Sequence, residues 1–360
     1  MTFNFENQNQ RIVYVARALA VGIPSGAVLD WLNTPIPWMI GPMVAVATLN
    51  LFGIRSGSIP YGRQTGQIIL GSAVSIYFTP SVLAVLVTNS GLIFLATSSA
   101  FIIGGIGALI MNKISGVNPK SAFFASIPGG SMAMTNLADK YNAQLPPVAV
   151  AHSLRISILV IVIPYFMNYG GISIEILPYK PDLPTDYYVI TFWLLVGGIL
   201  GQLSERLNFH NGCFMTPIIL GAGLTIYGFE LSLVPEWMTD FAQLMFGIIL
   251  GERYERTFFT RYRLFIPFAI FNAIFIIVAS ICVALLIAWN SNIPISTLII
   301  ATAPGGLAEM TIVAQALEVG VPLVIAFHIA RILVVNIGTQ YIYVFAMRVL
   351  GKPPDLPFKD

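Results

Sequence analysis

Two arginines in the middle of apolar segments are the residues of this chain whose placement most invites chemistry. Arg155 lies in "LPPVAVAHSLRISILVIVIPYF" and Arg331 in "VPLVIAFHIARILVVNIG". His152 and His328 precede them by three residues, which puts each His-Arg pair on one helical face. A guanidinium so deep in apolar sequence is costly unless acceptors or an anion meet it. Upstream of each pair stands a helix-breaking Pro-Gly-Gly, Pro128-Gly129-Gly130 and Pro304-Gly305-Gly306. The stretches are one motif used twice. At an offset of 176 residues, 11 of the 29 positions from Pro128 to Ile156 are identical, including Met134/Met310 and Thr135/Thr311.

A Pro-Gly-Gly in an apolar element frees backbone groups that only protein or a water-filled cavity can satisfy inside a membrane. The short helices that follow it, from Ser131 and from Leu307, would present unpaired N–H groups and a positive dipole end, which suit an anion. Candidate substrate contacts are therefore Pro128, Gly129, Gly130, Ser131, Thr135, Asn136, His152 and Arg155, with Pro304, Gly305, Gly306, Thr311, His328 and Arg331 in the second copy. Each arginine could equally be a strut on the free carbonyls of a break. Where the copies differ, Glu309 stands for Ala133, while Asn136 and Asp139 become Ile312 and Gln315. Glu309, and Asp139 in the first copy, are the candidates for proton or cation coupling; Glu309 could instead cap the helix it begins.

The elements that must position these groups follow from composition. Of 360 residues, 56% are hydrophobic and 9% charged, with mean hydropathy +0.81. That is far below the ~25% charge of soluble domains, and runs such as Phe265 to Trp289 reach the ~20 residues of a membrane span. The expected fold is an all-α polytopic membrane protein. Six apolar elements fall in each half, at about 12–32, 36–53, 64–79, 91–112, 119–142 and 146–167, then 188–206, 212–228, 238–252, 264–289, 294–317 and 320–347. The N-terminal stretch reads as a first span and not a signal peptide.

If the Pro-Gly-Gly elements re-enter, Arg55, Arg63, Lys113, Lys120, Lys140, Arg206 and Arg253 to Arg263 all fall on the cytoplasmic side. If they cross, the loop with Arg253, Arg256, Arg261 and Arg263 lands outside, against the positive-inside tendency. The expectation is two inverted repeats, each of five transmembrane helices plus one re-entrant or discontinuous Pro-Gly-Gly hairpin. Residues 1–168 form the first repeat, 169–187 a periplasmic connection, 188–347 the second repeat and 348–360 a cytoplasmic tail, with both termini cytoplasmic.

Three dispersed histidines offer no metal site, and no cofactor is expected. Cys213 and Cys282 read as buried, inert thiols. No nucleophile with an oriented base, phosphate loop or dinucleotide fingerprint appears, so no enzyme is expected. A net charge of +2 is too small and dispersed for nucleic-acid binding.

The duplicated P-G-G-x-x-x-M-T-x-x-A with P-x-x-x-x-x-H-x-x-R resembles the AbrB family of bacterial inner-membrane proteins, over nearly the whole chain. That family shares a name, not a fold, with small DNA-binding regulators. Its copies often read Thr-Pro-Gly-Gly, where this chain has Ile127 and Ala303 before the proline. The repeat also looks like that of inverted-repeat antiporters and anion symporters. The resemblance implies a multi-pass protein of the bacterial inner membrane. The expected function is a secondary-active transporter of a small organic anion, coupled to protons or Na⁺; a membrane sensor or regulator without flux, and a passive channel, are the alternatives. Expected partners are the lipid bilayer and a small-molecule or ion substrate, with no nucleic acid; a homodimer stays open.

Overall fold

Prolines and polar caps set where the helices begin. Pro37, Pro119 and Pro146 occupy the first turns of their helices, where a missing N–H costs nothing. The Asn118 side chain accepts from the Ser121 N–H at 2.7 Å, and the Asp186 carboxylate accepts from the Tyr188 and Val189 N–H groups. In the computed structural model the described residues are 8–171, 174, 183–207, 209, 211–229 and 231–349. Most of the connection and of the tail expected at 348–360 therefore lies outside them, as do Lys180 and Glu230.

Among the described residues the secondary structure is helical, without strands. The first half gives α1 (Gln8–Trp31), α2 (Pro37–Leu51), α3 (Gly62–Ser75), α4 (Pro80–Thr88), α5 (Ser90–Ser115), α6 (Pro119–Ser126), α7 (Ser131–Lys140) and α8 (Leu145–Tyr169). The second gives α9 (Tyr187–Arg206), α10 (Gly212–Ile226), α11 (Glu236–Glu252), α12 (Arg256–Arg261), α13 (Ile266–Trp289), α14 (Ile295–Thr302), α15 (Leu307–Ala316) and α16 (Val321–Val349). Six of these, α1, α5, α8, α9, α13 and α16, are long and apolar enough to cross a membrane. The other four elements expected to cross are helices of 14 to 17 residues, shorter than the ~20 that a straight span needs. The element expected at 64–79 ends at Ser75, and α4 leaves it at 95°.

α13 shows why the chain suits a bilayer. Phe271, Ile274, Val278 and Leu285 form an exposed stripe, while Asn272 and Ser280 are buried on the opposite face. Apolar outside and polar inside inverts the pattern of a helix on a soluble protein. Cys282 is exposed on this helix, contrary to the expectation of a buried thiol; Cys213 is buried.

Packing divides the chain into two compact units, each drawing on both halves. The first comprises Met1–Val87, Ile176–Thr257 and Thr311–Pro322; the second comprises Thr88–Glu175, Phe258–Met310 and Leu323–Asp360. Within the first unit, α2 packs on α1 and α11, and α10 packs on α3 and α9. The "IILG" sequences of α3 and α11 end on the glycines that make two of these crossings. Gly71 lies against the Phe214 carbonyl and Pro217 of α10, and Gly251 against the Met43 carbonyl of α2. Each crossing joins an element of one half to an element of the other. Within the second unit, α6 sits against α5 and α8, α7 against α8, and α13 against α5, α8 and α14.

Candidate functional site

The helical ladder stops twice at the same position of the repeat, both times in the second unit. α6 gives way at Ile127 and α14 at Ala303, both in extended backbone. In each copy a tight turn follows, the Gly129 N–H donating to the Ile127 carbonyl at 2.8 Å and the Gly305 N–H to the Ala303 carbonyl at 2.9 Å. The repeated methionine has a place here. Met134 and Met310, both fully buried, fold over Gly129 and Gly305 so closely that a Cβ on either glycine would meet the side chain at 2.6 Å. The first break also rests on α5, where a Cβ on Gly104 would lie 3.0 Å from the Ile127 Cα and the Pro128 Cδ.

α8 carries His152 and Arg155 into this region, 0% and 2% exposed. The Arg155 Nε donates to the Pro304 carbonyl at 3.2 Å, Nη1 to the Ser126 carbonyl at 3.4 Å, and Nη2 to the His152 Nδ1 at 2.8 Å. Because Nδ1 accepts, the proton of a neutral His152 sits on Nε2, which donates to the Phe124 carbonyl at 2.9 Å. On α16, Arg331 donates through Nη1 to the Ala303 carbonyl and through Nη2 to the Gly305 carbonyl, while its Nε has no partner among the described residues. Neither ring nitrogen of the fully buried His328 has a hydrogen-bond partner among the described residues.

The clamp is asymmetric. Three successive carbonyls of the second break, those of Ala303, Pro304 and Gly305, are held by the arginines of both repeats. Among the described residues the arginines hold the first break only through Arg155 at Ser126. Among the described residues the partners of both guanidiniums are carbonyl oxygens and the His152 ring, so their charge is met there by dipoles rather than by a carboxylate.

Glu309 is 9% exposed, and its carboxylate is folded back onto Gly306, where a Cβ would fall on Oε2. That is the position of an acid at the third residue of a helix reaching back toward its start. Its counterpart region is open, since only the Ala133 Cβ, at 4.0 Å, would meet a Cβ on Gly130. Asn136 and Asp139 are exposed on α7 and lie away from the arginine pairs' hydrogen bonds, and the Thr135 hydroxyl donates back to the Ser131 carbonyl at 2.8 Å. Ser131 is half-buried at the start of α7. Thr311, buried on α15, belongs by its packing to the first unit.

A small pocket of about 20 Å³ opens within the second unit, lined by Pro128, Pro304 and Arg331 together with Thr97, Ser280 and Thr302. This is room for about one water molecule. Sequence reading missed several polar groups at the breaks. The Asn272 amide donates to the Ser126 hydroxyl at 3.0 Å, and Thr302 donates to the Ser280 carbonyl at 3.1 Å. A signal existed, for Asn272 is a polar residue inside a 24-residue apolar helix. Ser126 and Thr302 also share one repeat position, which a count of identities passes over.

Fold and site together define a class: a multi-pass helical membrane protein with a buried polar centre gathered at two helix breaks. The chain belongs to the AbrB family, whose description, "Transition state regulatory protein AbrB", matches residues 38–346. It is similar to "Putative regulator AbrB" of Escherichia coli (strain K12), 24% identical over 310 residues, covering 83% of this chain and 87% of that protein. It is also similar to "Uncharacterized protein YhjN" of Bacillus subtilis (strain 168), 20% identical over 346 residues, 88% of this chain and 89% of that one. No solved structure matches the chain.

Proposed function

We propose that this protein is a secondary-active transporter of a small organic anion, coupled to protons or Na⁺, and not an enzyme. The observation that carries the reading is the pair of buried guanidiniums at the Pro-Gly-Gly breaks, met among the described residues by carbonyl dipoles and the His152 ring and not by a carboxylate. Two cationic charges so placed favour an anion beside them, and the breaks supply the irregular backbone that membrane transporters use around cargo. The architecture proposed is two inverted repeats in the cytoplasmic membrane, each with five crossings and one broken Pro-Gly-Gly element, and both termini inside. Contacts between elements of opposite halves in both units support the repeat.

Purified protein in liposomes is expected to show saturable uptake of an organic anion that follows an imposed proton or Na⁺ gradient. Ungated flux would make it a channel. Binding without flux would favour a sensor, the second reading, which the regulatory names of the family and of the Escherichia coli relative support. For topology, cysteines at Ser58 and Arg261, in a background lacking Cys213 and Cys282, are expected to label from the cytoplasm. Those at Asn89 and Ser291 are expected to label from the opposite side. Labelling of Ser58 and Ser291 from one face would sink the inverted arrangement.

A further inference from the structure

The pocket of the second unit has a donor and acceptor pattern that narrows the ligand, on the reading that this is where cargo is held. A hydroxyl has one proton to give and two lone pairs to offer. Around the pocket the protons are spent. Thr97 donates to the Phe94 carbonyl at 2.9 Å, Ser99 to that of Ala96 at 2.6 Å and Ser280 to that of Ile276 at 2.8 Å, while Thr302 shares its one proton between the Leu298 carbonyl at 3.0 Å and the Ser280 carbonyl at 3.1 Å. Each of these hydroxyls can then only accept from a ligand. Against them stands Arg331, a lining residue 6% exposed whose Nε–H has no partner among the described residues.

A plain carboxylate would satisfy Arg331 and leave the hydroxyl lone pairs facing an acceptor. A bare cation would suit the hydroxyl oxygens but would sit beside a guanidinium. We propose that the ligand carries both groups on a short frame: an anionic oxygen for Arg331 and a hydrogen-bond donor for the hydroxyls, as in a 2-hydroxy or 2-amino carboxylate. At about 20 Å³ the pocket as it stands takes about one water molecule, so even the smallest ligand of this class binds only if the pocket widens.

The test is binding of matched acids to the purified full-length protein by thermal shift and calorimetry, in Na⁺ and in choline buffers. The pairs are lactate against propionate, alanine against propionate, and malate against succinate, with lactamide as the uncharged control. The donor-bearing member of at least one pair is expected to bind about tenfold more tightly, the worth of one good hydrogen bond to a buried acceptor. Ser280→Ala combined with Thr302→Val is expected to bring that ratio toward one, an effect that a loss of fold would not select. Equal binding within every pair, in either buffer, would overturn this proposal and leave anion transport standing. Lactamide binding as well as lactate, or no carboxylate binding, would remove the anion reading itself.

Discussion

Arg331→Ala is expected to lower the thermal stability of the purified protein by several degrees and to abolish anion uptake. Its guanidinium bridges the Ala303 and Gly305 carbonyls across the second break, and alanine leaves the Gly305 oxygen without that donor while the Ala303 oxygen keeps only the Gly305 N–H. Each orphaned group costs about 1–3 kcal/mol. Lysine keeps the charge but lacks the planar fork that spans two carbonyls, so Arg331→Lys should recover part of the stability and little of the uptake. Arg155→Ala acts on the same element through the Pro304 carbonyl, between the two that Arg331 holds. Because one backbone turn is shared, the double variant is expected to lose less than the sum of the single losses. Strict additivity in melting experiments under one set of conditions would mean that the arginines stabilise separate structures and that the shared clamp is wrong.

The repeat was legible because the structure uses it directly. Pro-Gly-Gly stops both helices, the methionine covers the middle glycine in both copies, and the "IILG" glycines make equivalent crossings. What the sequence concealed is the asymmetry. Arg155 and Arg331 look interchangeable in an alignment of the halves, yet both reach the second break, because hydrogen bonds follow distance and not repeat number. The short helices α4 and α12 were also hidden. Nine and six residues are too few to show a period, and α4 is apolar enough to read as part of its neighbours. Asp139, a coupling candidate by its charge, is exposed on α7. Nor do the compact units follow the boundary between halves. The crossings within the first unit, α11 on α2 and α10 on α3, pair one half with the other, and no local pattern encodes them.

Glu309→Gln is expected to leave the fold nearly as stable as before and to remove the dependence of uptake on the proton or Na⁺ gradient, while exchange of substrate continues. The amide retains an oxygen that can turn back toward Gly306, so a capping contribution survives in part, whereas the capacity to release a proton or to bind Na⁺ as a carboxylate does not. A full loss of the cap would cost about 0.5–2 kcal/mol. Gly306→Ala supplies the complementary arm. Its Cβ would fall on the Glu309 carboxylate and displace it, leaving the acid ionisable but moved from its place. If position matters as much as charge, this variant loses ion dependence too, although its glutamate is intact. If instead Glu309→Gln transports with wild-type ion dependence and only Gly306→Ala melts early, the carboxylate is a cap. The coupling ion would then have to bind elsewhere. Asp139, on α7, would then be the remaining candidate.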